Sequence, residues 1–104
     1  MSINKILALS GFASKAGKLS YGFNSSLEAL KQKKSKLVLC AEDLSAKSLK
    51  EITFHSEKIG VEVFTLKDIT GDVLSQAIGR RCGIISVNDI GFAKSLKEEI
   101  VNDQ

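Results

Sequence analysis

At 104 residues the chain has room for one hydrophobic core and one domain, residues 1–104. Its 43% apolar and 26% charged content excludes a disordered chain, and the absence of proline excludes a proline-rich linker. The net charge of +3 hides an asymmetry: residues 1–50 hold nine lysines against Glu28, Glu42 and Asp43, while residues 51–104 hold six basic residues against nine acidic ones, a polarity that points to one face meeting a polyanion.

Ile3, Ile6, Leu7, Leu9, Phe12 and Ala13 recur at spacings of three and four, which predicts a helix over Ser2–Ala16. Ser2 suits its N-cap and Gly17 its left-handed stop, with Lys15 and Lys18 near the negative end of the dipole. The apolar run Ile6–Leu9 is far shorter than a secretory core or the roughly 18–20 residues of a membrane span, so the chain reads as cytoplasmic, with no membrane partner. Leu19-Ser20-Tyr21 reads as a short strand, and Gly22 as a turn. Asn24 and Ser25 both suit an N-cap, and Leu27, Ala29 and Leu30 give a narrow apolar face, so a short helix is expected over Ser25–Lys33.

Lys36–Ala41 is the pattern of a strand buried on both sides. Asp43–Ser45 then opens a helix with Leu49, Ile52, Ser56 and Ile59 inward and Gly60 at its end. Val61–Phe64 reads as a strand; Thr65 and Asp68 match a capping box for a helix running to Ile78. Gly83–Val87 is a further strand, and Asn88 or Asp89 caps a last helix carrying Phe92, Ala93, Leu96 and Ile100, with residues 101–104 expected to fray. Alternation at this spacing implies an α/β fold: a three-layer α/β/α sandwich with a central mixed four-stranded sheet and about five helices.

Cys40, inside a predicted buried strand, reads as a small hydrophobe. No close-set Cys/His pair suggests a metal site. The phosphate-binding patterns G-x-G-x-x-G and G-x-x-x-x-G-K-[ST] are missing, and His55, the single histidine, sits within a helix beside its buried face. No cofactor, metal or catalytic activity is therefore expected.

The candidate site is two helix N-termini near one edge of the sheet. One opens at Gly22-Phe23-Asn24-Ser25; the other follows Glu42-Asp43 and starts at Ser45. Both offer backbone N–H groups and positive dipole ends to phosphate oxygens. Gly22 lets another backbone approach closely, and Asn24 carries donor and acceptor groups that can read a base edge. Lys31, Lys33, Lys34 and Lys36 supply charge for a phosphate backbone. Each residue also has a purely structural reading. Gly-x-Asn is an ordinary turn, Ser25-Ser26-Leu27-Glu28 is a capping box, and Lys33-Lys34 can be a solvated helix end.

Ala16-Gly17-Lys18-Leu19, then Gly22-x-Asn24, then Lys36–Asp43, in this order and spacing, resemble the ribosomal L-seven-Ae and L-thirty-e family of kink-turn RNA-binding proteins. Gln76-Ala77-Ile78-Gly79 and Asn88-Asp89-x-Gly91-Phe92-Ala93-Lys94 resemble its small stand-alone bacterial branch. The resemblance implies an α/β/α sandwich that recognises kinked RNA helices with tandem sheared G·A pairs. In the family segment G-x-N-E-x-x-K, Asn and Glu address those guanines and Lys reaches the backbone. Gly22 and Asn24 match; Ser25 stands in place of the Glu and Glu28 in place of the Lys. The family loop before the last strand, which packs on a flipped base, is shortened here to Gly79-Arg80-Arg81-Cys82, whose arginines can pair with phosphate or stack on a base. Lys67 matches a family lysine that approaches the RNA. The implied partners are structured RNA, ribosomal RNA among the candidates, and ribosomal proteins, with the chain itself a monomer. A competing reading is a ribosome-related protein-interaction or assembly factor with weak or non-specific RNA binding, for which Phe54, off the main apolar face of its helix, would supply part of the surface.

Overall fold

A computed structural model describes residues 2–102. The first helix, α1 (Ile3–Lys15), starts where the Ser2 hydroxyl accepts the Lys5 N–H at 3.3 Å and ends at Gly17 with φ +71°. The chain continues as β1 (Leu19–Tyr21), α2 (Phe23–Lys31), β2 (Leu37–Ala41), α3 (Ala46–Ile59), β3 (Val63–Leu66), α4 (Gly71–Ile78), β4 (Ile84–Val87) and α5 (Ile90–Val101). The strand order is β1-β4-β2-β3; β4 is antiparallel to β1 and β2, and β2 is parallel to β3. The sheet is mixed and four-stranded, with five helices, as expected.

Every residue of β2 is buried, and its side chains alternate between two cores. Leu37, Leu39 and Ala41 join Ile6, Leu74, Ile85, Val87, Leu96 and Ile100 under α1, α4 and α5. Val38 and Cys40 join Leu30, Ile52 and Ile84 under α2 and α3. These are the two outer layers of the sandwich. Where α1 crosses α4, Gly11 brings the backbones together: a Cβ there would lie 3.0 Å from the Ala77 carbonyl oxygen.

One strip of polar groups crosses the sheet beneath α2. Ser86 Oγ lies 2.7 Å from Asn88 Oδ1 and 2.7 Å from Ser35 Oγ, and Asn88 Nδ2 donates to Ser20 Oγ at 2.9 Å. A carboxamide oxygen only accepts, so the single Ser86 proton goes to Asn88 and the Ser35 hydroxyl donates to Ser86.

Three boundaries differ from the sequence expectation. α2 begins at Phe23, so Asn24 and Ser25 lie in its first turn rather than at its cap, and Ser25–Glu28 is not a capping box. The third strand starts at Val63, not Val61, because the Val61 N–H still donates back to the Ser56 carbonyl at the end of α3. Thr65 pairs with Cys40 inside that strand, and the α4 cap is Thr70, whose hydroxyl accepts the Val73 N–H. Ile59, expected inward, is 39% exposed at the last turn of α3. The expectation that residues 101–104 fray meets α5 running through Val101; residues 103–104 lie outside the described residues.

Ser56 is fully buried on α3 and its hydroxyl finds no partner. A buried hydroxyl without a hydrogen bond costs about 1–3 kcal/mol, and alanine is the better helix former. Ser56→Ala is therefore expected to raise stability by about 1 kcal/mol, read as a higher urea midpoint with an unchanged slope.

Candidate functional site

Because β4 runs against β1 and β2, the ends of β1, β2 and β3 meet the start of β4 at one end of the sheet. Four segments gather there: Tyr21–Ser25, Glu42–Ser45, Lys67–Gly71 and Gly79–Gly83. So do the N-termini of α2, α3 and α4, one more than the sequence suggests.

The three termini are finished differently. At α3, the Ser45 hydroxyl accepts the Ser48 N–H at 3.2 Å. At α4, Thr70 caps Val73, and the Asp43 carboxylate accepts the Gly71 N–H at 2.8 Å, putting a negative charge at the positive end of the dipole. At α2 the cap is Gly22, with φ +87° and no side chain to offer. Its own N–H is used, donating to the Ile84 carbonyl at 2.8 Å, and its carbonyl accepts the Ser26 N–H. The amides of Phe23, Asn24 and Ser25 find no acceptor among the described residues, and the Asn24 and Ser25 side chains stand in solvent.

Beside this open terminus a guanidinium is held in place. The Arg80 guanidinium carbon lies 4.5 Å over the centre of the Tyr21 ring, a cation–π stack. The ring is anchored in turn: Ser14 Oγ donates to the Ile78 carbonyl at 2.7 Å, so the Tyr21 hydroxyl, 2.6 Å away, donates to Ser14. Ser75 fixes the other side of the loop, donating to the Cys82 carbonyl and accepting the Cys82 N–H. The loop Gly79–Cys82 is thus a braced turn between α4 and β4, with Arg80 and Arg81 both exposed on it. Tyr21 and Ser75 carry no sign of this in the sequence beyond the adjacency of Tyr21 to Gly22.

Glu42 and Asp43 are exposed, but their carboxylates are bonded to the chain's own backbone. Glu42 Oε2 accepts the Asp68 N–H at 2.6 Å, and Asp43 takes Gly71. Together they hold the β3–α4 loop, in which Asp68 adopts φ +64°. Lys67 is exposed on that same loop. This end therefore mixes Lys67, Arg80 and Arg81 with Glu42, Asp43, Asp68 and Asp72, and is close to neutral.

The lysines that end and follow α2 are elsewhere. Lys31 ends α2, and Lys34 and Lys36 lie in the turn into β2, at the opposite end of the sheet, where the Lys36 N–H donates to the last residue of β4. The structure brings Gly22, Phe23, Asn24, Ser25, Glu42, Asp43, Ser45, Lys67, Arg80 and Arg81 to one end, and does not bring Lys31, Lys34 and Lys36 to it.

No group of three or more His, Cys, Asp or Glu side chains able to share a metal occurs among the described residues. Cys40 is fully buried, which pushes its thiol up to about 12. Burial also raises Cys82, against the opposing pull of the Gly22 and Ile84 backbone groups and Arg80. Phe54 is 55% exposed but not bare: the Lys58 ammonium sits 4.3 Å over its ring and His55 meets it edge-on. No helix among the described residues is long and apolar enough to cross a membrane.

The family model described as the ribosomal protein L7Ae/L30e/S12e/Gadd45 family matches residues 4–97. An RNA-binding protein from Enterococcus faecium, YlxQ, is 32% identical over 96 residues, covering 92% of this chain and 91% of its own. The large ribosomal subunit protein eL30 of Candida glabrata is 32% identical over 92 residues, covering 86% and 84%. Among solved structures, a Bacillus halodurans protein of unknown function superposes with a TM-score of 0.88 at 26% identity, over 96% of this chain and 98% of that one. The Giardia lamblia 15.5kD RNA binding protein shares the fold, with a TM-score of 0.78 at 18% identity over 96% and 84%.

Two outcomes test the geometry. Asp43→Ala removes the carboxylate that holds the α4 terminus and is expected to cost about 1 kcal/mol in thermal or urea unfolding; no loss would mean that Thr70 suffices alone. In the folded protein at pH 8, iodoacetamide is expected to label Cys82 slowly and Cys40 only on unfolding, as read by intact-mass spectrometry.

Proposed function

Because the chain belongs to the ribosomal protein L7Ae/L30e/S12e/Gadd45 family, we propose that it is a non-catalytic cytoplasmic protein that binds structured, kink-turn-like RNA, in association with the ribosome, through the sheet end that carries Gly22–Ser25. One observation supports this above the rest: α2 alone of the three helix termini at that end lacks a side-chain cap, and its free amides lie next to Asn24 and the Arg80–Tyr21 stack.

The parts divide the work. The open amides of Phe23, Asn24 and Ser25 and the dipole of α2 take a phosphate oxygen. The Asn24 carboxamide reads a base edge with its paired donor and acceptor. Arg80, flat on Tyr21, offers its free guanidinium face to a base or its edge to phosphate, and Arg81 and Lys67 add backbone contacts. Glu42, Asp43 and Ser45 serve this reading indirectly, by fixing the loops that present Lys67 and α3. Gly22 contributes the turn, and Phe23, half-buried against the core under α2, fixes the start of the helix.

Two family positions differ, and each change has a direction. Ser25 lacks the carboxylate that would accept from a guanine, and Glu28, exposed and bonded to Gln32, puts a negative charge where a lysine would meet phosphate. Binding to a kink-turn is therefore weaker than a complete G-x-N-E-x-x-K segment would give.

A gel-shift titration with a kink-turn RNA and a copy lacking the G·A pairs, at two salt concentrations, tests the reading. The intact RNA is expected to bind tighter, with affinity falling steeply as salt rises. Asn24→Ala should weaken it about tenfold, and more than Ser25→Ala. The double change Ser25→Glu with Glu28→Lys should tighten it about tenfold. Equal affinity for both RNAs would sink the kink-turn reading.

A further inference from the structure

The lysines that follow α2 take no part in the end of the sheet that carries Asn24 and Arg80. We propose that they form a second nucleic-acid surface, which holds the phosphate backbone of a double-helical RNA segment and is separate from the surface at Gly22.

The separation is geometric. β2 has five residues, about 13 Å of extended chain, and α2 spans its nine residues over a similar length. No single phosphate group can touch both ends. The lysine end is also built differently. Lys33 sits at φ +60°, turning the chain so that Lys33, Lys36 and Lys58 line one cleft of about 420 Å³. Lys36 lines the next cleft as well, about 400 Å³, with Lys94 and Lys97. Five lysines thus line these clefts, from the α2–β2 turn, the last turn of α3 and the middle of α5, and one of them, Lys58, also sets its ammonium over the Phe54 ring. One acidic side chain lines these clefts, Glu62, and it is bound to Lys97.

Helix ends alone do not account for this. α2 and α3 both finish here, and Lys31 and Lys58 already lie in their last turns. Further lysines repel one another unless a polyanion neutralises them. The chemistry selects the polyanion. All five are lysines, point charges without the planar fork that reads a base, which suits contacts that position a backbone without reading sequence. No aromatic side chain lines either cleft, so there is no stacking platform for a single strand. A duplex, with its bases stacked inside and its phosphates outside, fits.

The test uses the full chain, a regular RNA duplex of about 20 base pairs without a kink, and the kink-turn RNA. Lys36→Gln, Lys58→Gln and Lys94→Gln are combined in one variant; all three positions are exposed. The variant should bind the plain duplex about tenfold more weakly, with a salt slope shallower by two to three units. Asn24→Ala should leave duplex binding unchanged. Unmodified protein saturated with kink-turn RNA should still take up labelled duplex as a ternary complex. The proposal is overturned if the lysine variant holds the duplex as tightly as the unmodified chain, if Asn24→Ala loses duplex binding equally, or if the two RNAs exclude one another. Failure of the kink-turn reading shows separately, as loss of discrimination between the kinked RNA and its G·A-less copy.

Discussion

The strand Leu37–Ala41 hides all five of its side chains and bonds to a neighbour on each edge. A strand buried in this way must have helices over both faces, because neither face can be left to water. The polar backbone just beyond its two ends must still find partners. The Glu42 N–H donates to the Ile69 carbonyl at one end, where the Glu42 and Asp43 carboxylates also hold the β3–α4 loop, and the Lys36 N–H donates to the Val87 carbonyl of β4 at the other. The two faces are given over to the core, so what remains for function is the two ends, and the ends differ in character. One is braced by hydrogen bonds, nearly neutral in charge, and shows one uncapped helix terminus. The other is basic.

Much of this fold is legible in the chain. Apolar spacing locates α1, α3 and α5, the unbroken run after Lys36 locates β2, and Ser2, Ser45 and Asp89 are recognisable caps that the structure uses as such. What local pattern misreads is set by groups far away. Asn24 looks like a cap because it precedes an apolar stretch, but Gly22 is already bonded to Ile84, sixty-two residues on, and the helix starts as soon as that bond allows. Thr65 and Asp68 look like a capping box, yet Thr65 is drawn into the sheet by its pairing with Cys40.

The site is legible to the extent that it is local. Gly22 announces a turn, Asn24 an exposed carboxamide at a helix start, and the loop at Arg80 announces charge. The acidic pair looked like part of a binding edge and is occupied instead with backbone amides 26 and 28 residues away. Tyr21 was silent because its value lies in the distance to Arg80, fifty-nine positions later in the chain. The lysine cluster misleads most simply. It follows Asn24 closely in sequence, and a nine-residue helix carries it to the far side.

The strand order β1-β4-β2-β3 has a temporal side. The earliest strand lies next to the latest, and only to it. As the chain leaves its own ribosome, residues 19–21 have no sheet to join until residues 84–87 are made, and the Gly22 turn has no carbonyl to bond to until Ile84 exists. Contacts of such long sequence separation form late, since the loop between them must close first. The surface at Gly22 therefore cannot take shape until residues 84–87 have been made, and the turn closes in the same step that completes the sheet.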